Sequence, residues 1–246
     1  MDLSLVEAAL KRFYLAADSA LRREDLKKAR EVTALLGELA RIRPKRRGLL
    51  IDAAAGHGYV GLLAAELLGF DQVTLLESSP ERLERAERVA RAIGRAGVEV
   101  KAGDVSSPTV WPNRCDVVVG LHACGAASDA ILDRSLAAET RWLLLVPCCY
   151  GEAIPFFAAA GALADRTGIA RQSEVRRRFV QAAIDSQRVL RLEAAGYEVT
   201  VVPLLPPTVT PHNLLFRCRR VMEPTKMAAA RAQLSTLLAR NAGTPT

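Results

Sequence analysis

Three carboxylic acids, Asp52, Glu77 and Asp104, each stand close to the end of a short apolar run. If these runs are neighbouring parallel strands, their carboxyl ends meet at one edge of the sheet, where such folds bind ligands. An acid after the second strand can accept hydrogen bonds from both hydroxyls of a ribose. A single acid at such a position is commonly a helix cap or a surface residue. Three acids in this order predict a ligand site of the nucleotide type.

A turn of small residues follows the first acid and leads directly into a predicted helix. It contains Ala54, Gly56, His57 and Gly58. Small side chains let the backbone turn sharply and approach a ligand closely, while the N–H groups of the first helical turn face that ligand. Because many nucleotide-binding folds share such a turn, this motif alone does not separate one chemistry from another.

A second group of reactive side chains follows the fourth and fifth apolar runs. Its members are His122, Cys124, Cys148 and Tyr150. Since the ends of neighbouring strands converge, we expect these side chains to surround one pocket. Histidine titrates near neutral pH, which makes His122 a candidate general base. The alternative is that His122 donates to a backbone carbonyl and only shapes the turn.

The elements that position these residues are visible as alternating patterns. Short apolar runs predict seven strands: Leu49–Ala53, Val73–Glu77, Val98–Lys101, Asp116–Leu121, Leu143–Val146, Tyr197–Leu205 and His212–Arg219. Helical stretches near 59–69 and 80–95 separate the first three. This alternation predicts an α/β fold with a mostly parallel sheet covered on both faces. The proline-rich segment 206–211 is too short for a parallel crossover, so the last two strands should form an antiparallel hairpin.

The remaining segments divide the chain into three predicted parts. Helical periodicity in residues 4–40 predicts two or three amphipathic helices, which a basic linker at 41–47 ends, so that 1–47 form an N-terminal helical cap. Residues 48–222 form the α/β domain. Within it, 151–195 is longer than one crossover helix requires and predicts a helical insertion before the sixth strand. Residues 223–246 form a C-terminal helix and tail.

The series Asp-x-Ala-x-Gly-x-Gly at 52–58, then Glu77, then Gly103-Asp104, resembles the motifs of class I S-adenosylmethionine (SAM)-dependent methyltransferases. The resemblance covers about residues 48–220 and implies a Rossmann-like sheet of seven strands with an antiparallel last strand. Dehydrogenases share the first two signals but lack that antiparallel strand. Ala54 stands where the family's first glycine usually lies, and we expect little harm because alanine is small.

The resemblance also implies which residues bind SAM. These are Asp52, Ala54, Gly56, His57, Gly58, Glu77, Ser78, Asp104, Val105 and Leu121. Asp52 and the glycine turn would hold the methionine moiety, and Glu77 would bind the ribose hydroxyls with Ser78 beside it near the adenine. Asp104 would accept from the adenine amino group, while the Val105 backbone N–H would bond a ring nitrogen.

The segment Leu-His-x-Cys-Gly-x-x-Ser-Asp at 121–129, with Cys-Cys-Tyr at 148–150, carries a narrower resemblance. It is similar to the methyltransferase domain of methyltransferase-like 25 proteins and of glutathione-S-transferase-C-terminal-domain-containing proteins. More distantly it resembles a eukaryotic tRNA 2′-O-methyltransferase family with His-x-Cys-Gly followed by Cys-Cys-His. Tyr150 stands where the tRNA enzymes have His, so the motif does not imply that this chain shares their substrate. The grouping implies methyl transfer but no particular acceptor.

The cysteines leave three interpretations open. RNA cytosine-5 methyltransferases also place cysteines after strands four and five, one of which attacks the base ring, so Cys124 and Cys148 are catalytic candidates with His122. Buried free cysteine is also a common small hydrophobic residue. A zinc site using His122, Cys124, Cys148 and Cys149 is the least favoured, because adjacent cysteines rarely point both sulfurs at one ion and spaced CxxC pairs are missing. We therefore predict no metal.

Charge is distributed unevenly along the chain, whose net charge is +7. Residues 48–165 carry −6, whereas the flanking segments together carry +13. Such segregation indicates an anionic partner, with RNA the first candidate; the alternative is an arginine-rich solvated helix surface. The candidate RNA-binding residues are Lys45, Arg46, Arg47, Arg171, Arg176, Arg177 and Arg178.

The composition, with 50% apolar and 25% charged residues, is typical of a globular protein. No apolar stretch has the length of a membrane span, and the start of the chain lacks the basic and apolar regions of a signal peptide. Five cysteines without framework spacing fit a reducing compartment, so we expect a cytoplasmic protein without a membrane partner. We expect a SAM-dependent methyltransferase acting on RNA, such as tRNA. The alternatives are a protein or small-molecule acceptor, or a non-catalytic SAM-fold binding module.

Overall fold

One seven-stranded sheet organises the computed structural model, which describes residues 1–16, 23–42, 48–94, 96–209 and 213–239. The strand order is β3-β2-β1-β4-β5-β7-β6, and only β7 runs antiparallel to its neighbours. The strands are β1 (Leu49–Ala53), β2 (Gln72–Glu77), β3 (Val98–Ala102), β4 (Val117–Ala123), β5 (Trp142–Pro147), β6 (Tyr197–Pro203) and β7 (Leu214–Arg220). The predicted Rossmann-like sheet and its terminal antiparallel hairpin are confirmed.

Eight helices accompany the sheet in the part of the chain that the structure describes. They are α1 (Leu3–Ala16), α2 (Arg23–Ile42), α3 (Tyr59–Leu67), α4 (Pro80–Ile93), α5 (Ala126–Ala137), α6 (Phe157–Arg166), α7 (Ser173–Ala194) and α8 (Pro224–Ala239). A short 3-10 turn at Pro108–Val110 precedes β4. The helical insertion predicted for 151–195 is confirmed as α6 and α7. None of the described helices has both the length and the apolar character needed to cross a membrane.

The two faces of the sheet are covered by different helices because side chains alternate along each strand. On one face, residues such as Leu50 and Val119 pack with α1 to α4 in a single buried cluster. On the other face, residues such as Ile51 and Val118 pack with α5 and α7. A third cluster joins α6 to the first half of α7. The N-terminal helices therefore share the main core with the sheet.

The end of α2 differs from the boundary that the sequence predicts. Helix α2 continues through Arg41, which bonds Glu38 at 2.7 Å, and ends at Ile42. The basic residues Lys45–Arg47 and His212 lie outside the described residues, and β7 is described from Leu214. The division of the chain at 47 and 222 stays a prediction.

Candidate functional site

Asp52, near the end of β1, is fixed by the helix that follows the glycine turn. Its carboxylate is buried and accepts the backbone N–H of Gly61 at 2.8 Å. Gly58, just before α3, has φ of 73°, and a Cβ there would lie 2.7 Å from the side chain of Leu75. Only glycine tolerates both the positive φ and the close contact, so the turn before α3 requires glycine at position 58.

The backbone of Ala54 adopts an unfavourable conformation, which the small size of alanine does not predict. Its φ is 57°, in the left-handed region, although it is not a glycine. A residue with a Cβ loses about 1–2 kcal/mol in that conformation. The neighbouring Ala55 N–H donates to the Leu76 carbonyl at 2.9 Å, which holds the turn against β2. The size of alanine is therefore tolerated, but its backbone is strained.

Glu77, at the end of β2, accepts three backbone N–H groups. Gly56 donates to one carboxylate oxygen at 2.7 Å, and Ser78 and Ser79 donate to the other at 3.0 and 2.8 Å. These bonds hold the carboxylate at the cavity wall. Because each carboxylate oxygen has about two acceptor sites, the oxygen that Gly56 contacts can still accept one ligand hydroxyl group.

Asp104, beyond β3, is exposed and accepts the backbone N–H of Ser106 at 2.7 Å. Hydrogen bonds from the Ser106 side chain and backbone lower the pKa of Asp104. The next residue, Val105, is buried, and its carbonyl accepts the Trp111 indole N–H at 2.9 Å. The indole therefore holds this loop in place beside the acid.

Two adjoining cavities of about 470 and 360 Å³ share Ala54, Arg82 and His122 as walls and form one cleft. Nine of the ten predicted cofactor residues line it, and Gly58 lies outside the lining. The larger cavity contains Glu77, Ser78, Asp104 and Val105. The smaller contains Asp52, Gly56, His57 and Leu121, and the His57 ring stacks on Tyr59. The structure thus brings the three acids and the turn to one place.

Helix α2 supplies two site residues that the sequence analysis missed. Lys28 lines the smaller cavity, and its ammonium lies 3.6 Å from the carboxylate of Glu31. Glu31 is buried next to Val32 and four residues before Leu35. An acid at that spacing interrupts the apolar stripe of an amphipathic helix, and this was the available signal.

The electrostatics of the smaller cavity are set by burial. Desolvation raises the pKa of Asp52 to about 7, assisted by the charge of Glu77 and opposed by the Gly61 hydrogen bond and Lys28. Desolvation also lowers the pKa of Lys28, although Glu31 and Asp52 counteract it. A cationic ligand group would therefore stabilise the ionised form of Asp52, and an anionic group would stabilise the protonated form of Lys28.

His122 occupies a β-bulge at the end of β4. Leu121 pairs with Val146 and Ala123 pairs with Pro147, which leaves His122 outside the ladder with φ of 58°. Bulges next to active sites commonly re-aim a side chain. The His122 Nε2 lies 3.0 Å from the Glu31 carboxylate. Burial alone would raise the pKa of Glu31, but the hydrogen bond and charge of His122, together with the charges of Lys28 and Lys27, outweigh it and lower that pKa.

The sulfurs of three cysteines converge beside this bulge. Cys124 lies 2.7 Å from Cys148 and 3.3 Å from Cys149, while the last two sulfurs are 3.4 Å apart. The expectation that adjacent cysteines point their sulfurs apart is wrong here. Desolvation raises the pKa values of Cys124 and Cys148, which keeps these thiols protonated near neutral pH. A nucleophilic cysteine requires the opposite shift.

Tyr150, expected near the pocket, turns towards α7 instead. Its hydroxyl lies 2.9 Å from both carboxylate oxygens of Asp185. The fully buried Arg188 bonds Asp185 at 3.3 Å and Asp129 of α5 at 2.7 Å. This network ties the segment after β5 to two helices.

The arginines predicted to bind phosphate are largely engaged with neighbouring acids. Arg176 bonds Asp165 at 2.8 Å, and Arg177 and Arg178 both bond Glu174. Arg177 and Arg178 keep 56% and 76% of their side chains exposed, so they still present positive charge to solvent.

Comparison with known proteins places this cleft in a family. A family model described as "Methyltransferase domain" matches residues 27–153. The chain belongs to this methyltransferase family. The match begins within α2, so the region that carries Lys28 and Glu31 is included.

Several curated proteins are similar in sequence to this methyltransferase. It is 26% identical over 187 residues to the human glutathione S-transferase C-terminal domain-containing protein, covering 67% of this chain and 29% of that protein. The Xenopus laevis counterpart is 25% identical over 209 residues, 76% of this chain and 33% of that protein. The chain thus spans about a third of the length of these relatives.

Solved structures share the fold of the methyltransferase. Magnesium protoporphyrin IX methyltransferase from Synechocystis PCC 6803, with bound SAH, has a TM-score of 0.52 and 15% identity and covers 89% of this chain and 95% of that one. A fibrillarin/Nop5p complex has a TM-score of 0.52 and 12% identity and covers 78% and 81%. These matches establish the class I SAM-dependent methyltransferase fold.

The cleft fits SAM, the cofactor of this class. Gly58 permits the tight turn that places Gly56 and His57 in the cleft, and Glu77 keeps an acceptor site at the wall. The cofactor assignments of the individual residues stay predictions. To them we add Lys28, whose ammonium can balance the methionine carboxylate. When bound, SAM supplies an electrophilic methyl group.

Proposed function

We propose that this methyltransferase transfers the methyl group of SAM to RNA. One observation carries the proposal: a single helix, α7, presents a basic surface at its start and contacts the segment after β5 further along. Residues 165–178 contain five arginines against two acids. Arg177 lies eight residues before Asp185, the partner of Tyr150, which is about 12 Å along a helix. A phosphate backbone held at the start of α7 would therefore lie near the segment that follows β5, whose Cys148 contacts Cys124 at the wall of the cleft.

The pairing of these arginines leaves room for phosphate. Arg177 and Arg178 share one acid, Glu174, so these three residues together carry one net positive charge on an exposed surface. Arg171 is also exposed and lies two residues before the first residue of α7. Arg176, by contrast, joins α7 to α6 through Asp165 and the Gly161 carbonyl. We assign it a structural role.

His122 is the base that we propose for a hydroxyl acceptor. With Nε2 bonded to Glu31, the other ring nitrogen, Nδ1, has no partner among the described residues and can accept the acceptor's proton. Glu31 fixes the ring orientation and stabilises the imidazolium that forms, because its carboxylate is buried and lies 3.0 Å away. Methyl transfer is an in-line displacement, so this positioning matters as much as basicity.

The acceptor class is tested by binding and by product analysis. The Arg177→Ala/Arg178→Ala variant should bind tRNA more weakly, with a salt slope lower by about 0.7 for each lost phosphate contact. The matched control is Arg91→Ala/Arg219→Ala, which removes two exposed arginines that are also paired with acids. Equal losses in both variants, or no salt-dependent RNA binding by the wild type, would contradict the RNA proposal. Mass spectrometry of nucleosides from a deletion strain and its parent then identifies the product.

The base is tested by turnover at constant SAM affinity. His122→Ala should lower turnover by about 100-fold or more and leave SAM affinity unchanged. Glu31→Gln should shift the pH–rate profile, since the neutral amide no longer favours the imidazolium. RNA containing 5-fluorocytidine should form no covalent adduct, because the Cys124 and Cys148 thiols are protonated. A trapped adduct would assign the chemistry to a cysteine instead.

A small-molecule or protein acceptor is the second candidate. It is favoured by the ion pairs that engage Arg176, Arg177 and Arg178, since these give the arginines a role without RNA. The porphyrin methyltransferase with the same fold shows that this architecture also accommodates small acceptors. Transfer of labelled methyl groups from SAM into the protein or metabolite fraction, with none in RNA, would favour this candidate.

A further inference from the structure

The cysteine cluster has a geometry that neither methyl transfer nor RNA binding requires. Cys124 comes from the segment after β4, and Cys148 and Cys149 come from the segment after β5. Their sulfurs are separated by 2.7, 3.3 and 3.4 Å. We propose that these three cysteines bind one Zn²⁺ ion and leave its fourth coordination position open towards the cofactor cleft.

The distances allow one ion to contact all three sulfurs. Three points this close together have a common position, on either side of their plane, that lies about 2.3 Å from each, which is the usual Zn–S distance. In a tetrahedral site the sulfurs lie about 3.8 Å apart, so they would spread slightly on binding. Three thiolates without a fourth protein ligand are the arrangement of an open zinc site.

The surroundings supply access and charge balance. Cys124 and Cys149 are exposed and Cys148 is buried, so an ion can enter from solvent. Cys124 also lines the larger cavity together with Glu77 and His122. Three thiolates and one Zn²⁺ carry a net charge of −1, and the ammonium of Lys28 interacts favourably with Cys124 and Cys148. Zinc binding displaces the thiol protons, and these pass to the solvent.

Two further cysteines of the chain serve as a matched control, because they should not bind zinc. Cys115 and Cys218 are free and buried, but neither belongs to the cluster. Cys115 contacts the Thr140 hydroxyl at 3.1 Å, and Cys218 lies in the core of the sheet. Substituting these two residues removes the same kind of thiol from the protein without touching the proposed site.

The test is a zinc titration of the full chain, reduced and kept free of oxygen, against a chromophoric chelator. Wild type and the Cys115→Ala/Cys218→Ala variant should each bind one Zn²⁺ per chain with equal affinity. The exposed-site variants Cys124→Ser and Cys149→Ser should bind at least about 100-fold more weakly. With Co²⁺ as the probe, each should lose about one third of the sulfur-to-cobalt absorption.

Two results would overturn the zinc site. One is a wild-type protein that binds no more zinc than the Cys124→Ser variant. The other is a Cys124–Cys148 disulfide in protein isolated under reducing conditions, which would make the cluster a redox pair. Circular dichroism and thermal unfolding of the same samples show that each variant is folded. The zinc site does not rest on the choice of acceptor, so its failure leaves the RNA proposal intact.

Discussion

The cofactor side and the acceptor side of the cleft are built in different ways. On the cofactor side, backbone N–H groups fix all three acids. Gly61 donates to Asp52 and Ser106 donates to Asp104, while Glu77 accepts two adjacent N–H groups and one from the turn after β1. On the acceptor side, side chains from distant helices fix the groups: Glu31 of α2 holds His122, and Asp185 of α7 holds Tyr150. The first arrangement depends on strand ends, which many sequences can form. The second depends on particular residues, which suits the part of an enzyme that selects its acceptor.

The largest expected effect comes from the buried network of the acceptor side. Arg188→Met should lower the free energy of unfolding by about 3–5 kcal/mol, because it leaves partly buried Asp185 without its cation and buried Asp129 with only Arg191, at 3.7 Å. Chemical denaturation measures this change. The control Arg219→Met breaks an exposed pair with Glu198 and should cost less than about 1 kcal/mol. Equal losses of stability in the two variants would mean that the buried network does not stabilise the acceptor side.

On the cofactor side, the largest effect should follow loss of Glu77. Glu77→Ala should weaken SAM binding by up to about 100-fold, because a charge-assisted hydrogen bond to the ribose is lost. Calorimetry with SAM measures the affinity. Glu99→Ala, which removes an acid from β3 outside the cleft, is the control and should leave the affinity unchanged. Unchanged binding by a folded Glu77→Ala protein would remove Glu77 from the site.

Asp52 predicts a pH dependence that is specific to the cofactor side. Its pKa in the folded protein is about 7 against an ordinary 3.8, so the ligand-free folded state holds more protons than the unfolded state between these values. The free energy of unfolding should therefore fall as pH rises from about 4 to about 7, by at most about 1.4 kcal/mol per pH unit. Thermal or chemical unfolding across this range measures the slope.

The same group should couple SAM binding to pH. A cationic methionine moiety favours ionised Asp52, so affinity should rise by up to about tenfold per pH unit as pH approaches 7. Asp52→Asn keeps the shape of the side chain and should abolish both pH dependences. A slope that persists in Asp52→Asn would assign the titration to another group.

The smallest effect should come from the strained turn. Ala54→Gly should raise the free energy of unfolding by about 0.5–1 kcal/mol, because relief of the positive φ exceeds the added flexibility of the unfolded chain. Ala90→Gly, inside α4, is the matched control and should lower stability by about 1 kcal/mol. Losses of similar size in both variants would mean that Ala54 is not strained.

The sequence by itself determined the sheet and most of the cofactor side. Apolar runs such as Leu49–Ala53 are local signals, and the predicted and observed bounds of this strand agree. Once the strands are parallel neighbours, the positions of Glu77 and Asp104 follow from chain direction alone. The antiparallel hairpin followed from the shortness of its connection, and it is observed between β6 and β7.

Only the tertiary structure decided the acceptor side. Nothing local states which helix covers a given strand end, so the contacts of Lys28 and Glu31 with the cleft were not predicted, although Glu31 interrupts an apolar stripe. The convergence of Cys124 with Cys148 and Cys149 joins residues 24 and 25 positions apart through the pairing of β4 with β5. The sequence supplies the residue types, but the side-chain directions are set by the bulge at His122 and by the departure of the chain from β5. Both arise from packing between distant elements, and packing is not encoded in local periodicity.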